Sequence, residues 1–457
     1  MKTDHYHSDR EIPVYAEPEI LVVGGGCAGF AAAVCAARRG HKTLLAERSF
    51  CLGGTATEGM VGPFMTCSDP EGKNAVIKGF FREFIDRLIA EGGALEPMSI
   101  ENCKGYSSWH EFGHQNVTPF NIEAYKVVAE DLCREAGVEL LYGVTACDTV
   151  RSADGKSIDG VCFQAKEGPV LIRAKIVIDC TGDADIACLA GCPTLKGEPE
   201  TGELQAASLF FSIEGVDEAV LQQRCDELGW PSLRFEKEIA EAVANNEYPV
   251  PRRRLGVYKS CDGTWKVNAT RIQNVDGTRS ADLTRVAVEG RQQVRAIFRF
   301  LRKYVHGFEH VRLLGSASAP GIRETRRIEG KFILAEDDIV KGTMFPDAIA
   351  VCSNSRDNHK EFIGKYIPST CCYSLPYRVL LPQGADNLLA AGRNVSCDRA
   401  VLSAIRVMPP CFALGQAAGN AAALALDSGV LPDSVDTAEL QQRLRAENVV
   451  LPPLPDR

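Results

Sequence analysis

The residues Gly24-Gly25-Gly26-Cys27-Ala28-Gly29 stand between the apolar run Ile20–Val23 and an alanine-rich stretch over residues 30–39. This is G-x-G-x-x-G in the context of strand, loop and helix, and each glycine has a physical task. Gly24 allows the tight turn, Gly26 lets the backbone approach a pyrophosphate, and Gly29 lets the helix pack closely on the strand. The helix N-terminus then offers unpaired N–H groups and a partial positive charge to the phosphates. Ile20–Val23 is apolar throughout, as a strand covered on both faces should be. A second strand is expected over residues 42–46, and the carboxylate of Glu47 falls at its end, about 20 residues past the glycines, where an acid meets the adenosine ribose hydroxyls. Shortly after it, Gly53-Gly54-Thr55 supplies a second turn at which backbone could approach a flat ring or a phosphate.

The length of 457 residues suggests about three domain-sized units, or two if one is large. Hydrophobic residues make up 45% and charged residues 24%, which excludes a largely disordered or collagen-like chain. With 51 basic against 60 acidic residues the formal charge is −9, so nothing asks for nucleic acid or an anionic membrane as a partner. The 18 cysteines include no C-x-x-C, which argues against a zinc ribbon, an iron–sulfur run or a dithiol motif, and no metal site is expected. The first 19 residues are polar where a signal peptide has its apolar core, so a reducing cytoplasm and buried free thiols are the expectation. The apolar run over residues 20–37 holds four glycines and the phosphate-loop pattern, and is not read as a membrane span.

Further along, residues 121–136 read as a helix, 138–142 as a strand, and Val144, Thr145 and Ala146 lead into a meander turning at Asp154-Gly155. Residues 175–179 form an apolar strand running into Cys180-Thr181-Gly182-Asp183, and Asn387-Leu388-Leu389-Ala390-Ala391-Gly392-Arg393 is another strand with glycine at its end. Arg406-Val407-Met408-Pro409-Pro410 introduces an alanine-rich helix over 411–426, proline being tolerated in a first turn. In these pieces, with GGGCAG, ERSFCLGGT and RETRRIEG, the chain resembles the FAD-dependent oxidoreductases of the glutathione-reductase-like flavoprotein superfamily, with fumarate-reductase-flavoprotein-like relatives. The resemblance covers most of residues 18–428. It implies noncovalent FAD, held by Gly24, Gly25, Gly26, Cys27, Ala28, Gly29, Glu47, Arg48, Gly53, Gly54 and Thr55. Val144, Thr145 and Ala146 would lie at the adenine, and Thr181, Gly182 and Asp183 at the flavin-side sugar chain or phosphates. Gly392, Arg393, Arg406, Val407 and Met408, with the final helix, would face the flavin. The implied fold is α/β: a discontinuous Rossmann-like FAD-binding domain over 18–196 and 371–457, with an α+β substrate or cap domain inserted over 197–370.

No second G-x-G-x-x-G opens a helix and no redox cysteine pair is close in sequence, so a disulfide reductase with its own nicotinamide domain is not expected. One flavin serves two half-reactions, hydride exchange with a small polar substrate at N5 and electron exchange with a separate acceptor or donor. By resemblance, a sugar or polyol hydroxyl is the favoured substrate. An enoate-type reaction beside a carboxylate, or a flavin-carrying electron-transfer subunit, stands as the alternative, and a homo-oligomer is compatible with either. The catalytic candidates are Arg323 and Arg326, from Arg323-Glu324-Thr325-Arg326-Arg327, and His359, which Asp357 would orient as a base. The bland reading of the arginine string is a salt-bridge cluster at a domain interface. Residues 109–114, with Trp109, His110, Glu111 and His114, suit a lid; Cys67 reads as packing. Within the insertion, 197–202 reads as the crossing linker, 204–213 as a strand, and Ser280–Tyr304 as a long helix whose arginines form a solvated face.

Overall fold

The structure is a computed structural model that describes residues 10–97, 116–358 and 365–453. At its centre lies a parallel sheet of five strands in the order Leu388–Ala390, Ile176–Asp179, Ile20–Val23, Thr43–Glu47, Glu139–Tyr142. Leu388 pairs with Val177, so a strand from the C-terminal segment closes the sheet begun near the N-terminus. Because side chains alternate across a strand, Ile20 and Val22 face one layer and Leu21 and Val23 the other. The first pair packs with the helices Cys27–Ala37, Ile122–Ala136 and Met408–Ser428. The second pair packs with the meander Thr145–Arg151, Ile158–Ala165 and Gly168–Arg173. Covering both faces explains why Ile20–Val23 reads as an unbroken apolar run.

Helices Cys27–Ala37 and Met408–Ser428 cross at unusually short range. A Cβ on Gly415 would stand 2.1 Å from the Ala28 carbonyl oxygen, and one on Gly419 2.2 Å from that of Ala32. Two glycines one turn apart on one helix therefore meet the alanine face of the other, which brings the N-termini of both helices to one end of the sheet. No single helix among the described residues is long and apolar enough to cross a membrane; the bent pair Arg399–Ile405 and Met408–Ser428, turning by 95°, passes on length and composition, yet its apolar residues are buried in this core. The final helix begins at Met408 rather than at residue 411, since Pro409 and Pro410 occupy its first turn, where no N–H is required.

A second core is built by an antiparallel sheet in the order Gly256–Lys259, Trp265–Asn268, Phe211–Glu214, Arg312–Ser316, with helix Ser280–Tyr304 packed against it. Arg291, Arg295, Arg299 and Arg302 of that helix are exposed, as expected of a solvated face. The strand expected over 204–213 is confined to Phe211–Glu214. Upstream of it the backbone is satisfied elsewhere: the N–H of Gln205 donates to Glu324 and that of Leu209 to the Thr270 hydroxyl, leaving isolated bridges at Ala207 and Ser208. Leu334, Ile339 and the strand Ala348–Cys352 pack into the first core, alongside the nucleotide-binding layers. No disulfide joins any two of the 17 described cysteines, and most, Cys67 among them, are buried.

Candidate functional site

The loop after Ile20–Val23 is held by contacts only glycine permits. Gly24 has φ of +98°, and a Cβ there would sit 2.5 Å from the Cys180 carbonyl oxygen; a Cβ on Gly29 would sit 1.7 Å from the Gly24 carbonyl oxygen. Gly26 is different. Its ideal Cβ meets no atom within 4 Å, because it faces a cavity of about 1260 Å³. The loop thus keeps an open cradle at the head of a helix, the shape and dipole a pyrophosphate requires. Glu47 is buried beside it, its Oε2 accepting the Gly25 N–H at 2.5 Å and its Oε1 the Ser49 N–H at 2.8 Å. Gly25, Gly29 and Gly53 lie behind the surface and shape the loops. Gly24, Gly26, Cys27, Ala28, Glu47, Arg48, Gly54 and Thr55 line the cavity.

The same cavity continues along Val144, Thr145 and Ala146, then Thr181, Gly182 and Asp183, then Gly392 and Arg393. The turn after Ile176–Asp179 is organised by the buried Asp179, which accepts the Thr181 N–H at 3.0 Å, the Thr181 hydroxyl at 2.7 Å and the Ala187 N–H at 3.1 Å, while burial pushes its carboxyl above the usual range. Asp183 accepts the Thr325 hydroxyl at 2.6 Å and an Arg393 N–H at 2.7 Å. Burial acts to raise this carboxyl, but the Arg393 guanidinium and the Thr325 hydroxyl outweigh it and hold it below its ordinary value. Arg406, Val407 and Met408, at the start of the final helix, complete this wall.

The string from Arg323 to Arg327 sends its residues to different places. Arg323 lines the cavity and donates to the Ala206 carbonyl at 2.6 Å. Glu324 and Arg327 are buried in an ion-pair network with Arg399 and Glu198, the interface cluster that was the bland reading. Thr325 holds Asp183. Arg326 is not in the cavity wall: its Nε donates to the Asp183 carbonyl at 2.8 Å and its fork closes on Asp185 and the Cys188 thiol, so its place is that of a bracing side chain. Burial and the neighbouring Asp183 and Asp179 raise Asp185 to about 6 despite that pairing. His359, and Trp109, His110, Glu111 and His114, lie outside the described residues.

Sequence reasoning missed Arg234, Arg252, Arg271, Tyr258 and Asn268, which the second sheet and its loops bring to the same cavity as Arg323, Arg406 and Asp357. Asp357 accepts from Arg406 at 3.3 Å. Burial, then Arg406 and Arg252, draw the Arg323 guanidinium down to about 9, so it stays charged at neutral pH. The consecutive Arg252-Arg253-Arg254 is the one local signal that pointed here.

A parallel sheet with a glycine-rich turn at a helix head, opening on a cavity of about 1260 Å³, defines an α/β dinucleotide-binding protein with an inserted antiparallel unit. The family model described as FAD dependent oxidoreductase matches residues 19–444, and the chain belongs to that family. It is an FAD-dependent oxidoreductase enzyme, with FAD as its cofactor. The chain is also 26% identical over 212 residues to thiamine thiazole synthase of Archaeoglobus fulgidus, covering 44% of this chain and 71% of that one. It is 28% identical over 216 residues to thiamine thiazole synthase of Pyrobaculum calidifontis, covering 45% and 71%. Among solved structures it is similar to a geranylgeranyl bacteriochlorophyll reductase-like protein of Thermoplasma acidophilum (13% identity, TM-score 0.45, 94% of this chain and 83% of that one). A flavin-dependent brominase, Bmp2, is similar at 12% identity and TM-score 0.45, over 94% and 84%.

Proposed function

We propose that the protein moves a hydride between FAD and a small polar substrate lodged against the antiparallel unit, and that a separate acceptor or donor restores the flavin. The observation that carries this reading is the single cavity that runs from the glycine loop to the second sheet, with room for cofactor and substrate together. FAD supplies the two-electron chemistry at N5. The chain supplies the holding groups: the Gly24–Gly29 loop for the pyrophosphate, Glu47 for the adenosine ribose, Val144, Thr145 and Ala146 for the adenine. Thr181, Gly182, Asp183, Gly392 and Arg393 would hold the flavin-side chain. Arg406, Val407 and Met408 would bring the final helix's N-terminus to the ring, where its partial positive charge would favour the reduced, anionic form. In this reading the substrate unit centres on residues 209–317, and Arg323 reaches it from the edge.

A sugar or polyol hydroxyl was the favoured substrate from sequence. The guanidiniums of the cap-side wall support the alternative, a reaction beside a carboxylate, since an arginine fork matches that group. The test is the visible spectrum of the purified protein under anaerobic addition of sugars, polyols, hydroxy acids, unsaturated acids and NAD(P)H. Bleaching of the flavin band by an acid and not by its neutral counterpart is the expected result. A flavin that no member reduces, and that once chemically reduced no unsaturated acid reoxidises, would turn attention to the electron-transfer-subunit alternative.

A further inference from the structure

We propose that the substrate is an organic dianion, a small molecule with two negative charges, seated between Arg252, Arg271, Arg323 and Arg406. The inference rests on the flavin-oxidoreductase reading of this cavity and narrows its substrate. The four guanidiniums reach one cavity from four stretches of chain. Arg252 precedes the strand Gly256–Lys259, and Arg271 follows Trp265–Asn268. Arg323 precedes Arg326–Ile328, and Arg406 ends the helix Arg399–Ile405. They are near enough to act on one another: after burial itself, Arg406, Arg252 and Arg271 all weaken the proton affinity of Arg323.

Collecting like charges away from water is costly unless an opposite charge completes the site. Among the described residues, the acids that act on Arg252, Arg323 and Arg406 fall short. Asp357 accepts from Arg406 at 3.3 Å, and Glu324, which also acts on Arg406, is bonded to Arg327 and Arg399. Arg252 donates to neutral acceptors, the Arg254 carbonyl at 3.0 Å and Asn268 Oδ1 at 2.9 Å, and Arg323 donates to the Ala206 carbonyl. The buried Nε of Arg406 has no acceptor. Among the described residues Arg252 and Arg323 thus have no hydrogen-bonded carboxylate, and Arg406 has a donor to spare, which two negative charges would satisfy. The cofactor's phosphates have their own cradle in the glycine loop, built from other residues. Carboxylate and phosphate accept an arginine fork in the same way, so a dicarboxylate and a phosphate monoester share the chemistry recognised here.

The experiment is calorimetric titration of the FAD-loaded enzyme with malonate, succinate and glutarate, each against its half-amide, and with glycerol 3-phosphate against glycerol. At least one dianion should bind tenfold or more tightly than its partner of lower charge, and the pair showing the gap names the source of the charge. Arg323→Gln and Arg252→Gln should each weaken that binding about tenfold while flavin content and melting temperature hold. Equal affinity within every pair overturns the inference, and so does dianion affinity unchanged in both variants. Should a variant fail to fold, the wild-type comparison of matched pairs decides alone. The two readings fail differently: a neutral polyol that reduces the flavin while no dianion binds sinks the dianion and leaves the oxidoreductase. Dianions that bind to a flavin no substrate reduces or reoxidises do the reverse.

Discussion

Gly26 and Gly29 belong to one motif but have opposite reasons for lacking a side chain. A methyl on Gly29 collides with the Gly24 carbonyl, whereas one on Gly26, whose φ is −66°, points into open cavity. Gly29→Ala should therefore cost about 1–3 kcal/mol of stability in the FAD-free protein, as overpacking does. Gly26→Ala should stay within about 0.5 kcal/mol and lose FAD affinity instead. Chemical denaturation of the FAD-free proteins, with flavin content alongside, separates the two; equal loss of stability would refute the assignment of Gly26 to the cofactor. Asp183 offers a second residue-scale test. Its folded pKa lies below the unfolded value of about 3.9, so its contribution is complete above that pH and drains away as pH falls through the lowered value. Arg393→Gln removes the largest favourable charge and leaves a buried carboxylate, which costs about 3 kcal/mol. The gap in melting temperature between wild type and variant should be widest near pH 7 and narrow below pH 4. At this scale the turn glycines and the place of Glu47 at the end of the second strand were legible because they stand at fixed spacing. The parting of Arg323 from Arg326 was not, since neighbouring guanidiniums look alike until the chain turns.

The elements that were legible are those with a clean period or a punctuating residue: the parallel strands, the helix Ser280–Tyr304, and the helix Ile122–Ala136 that starts at its Asn121 cap. Residues 204–213 misled because apolar composition invites a ladder, whereas Glu324 and the Thr270 hydroxyl take the N–H groups a ladder would use. The crossing of Cys27–Ala37 with Met408–Ser428 was half legible: alanine and glycine were plain, their meeting across nearly four hundred residues was not. That crossing sets both helix N-termini at the cavity, so it should couple stability to cofactor binding. Gly415→Ala places a methyl 2.1 Å from the Ala28 carbonyl and should cost about 1–3 kcal/mol while also weakening FAD binding. Gly315→Ala, in the strand Arg312–Ser316 where a Cβ meets nothing within 4 Å, should change neither by more than about 0.5 kcal/mol. Flavin retention after gel filtration and a denaturant midpoint on each variant check both halves.

Across the whole molecule, the sequence conveyed a nucleotide-binding half and an insertion but not the wall the insertion presents. Arg252 and Arg271 come from loops flanking two strands, and Arg406 from the end of a helix, so no spacing links them; only folding brings them together. What joins the two cores is also non-local. Glu324, fully buried, binds Arg327 and Arg399, and accepts the N–H of Gln205 at the entrance to the second unit, while Arg399 reaches on to Glu198. One carboxylate thus ties the final segment of the nucleotide-binding half to both strands of chain that cross into the antiparallel unit. Replacing it by alanine leaves two buried guanidiniums short of a partner, a loss of about 3–5 kcal/mol. The loss falls at the junction and spares either core, so calorimetry of Glu324→Ala should show the two cores melting in separate steps, with the transition of wild type sharper than either. A single cooperative transition merely shifted to lower temperature would mean that the cores are coupled through the cavity wall and that this network is ballast.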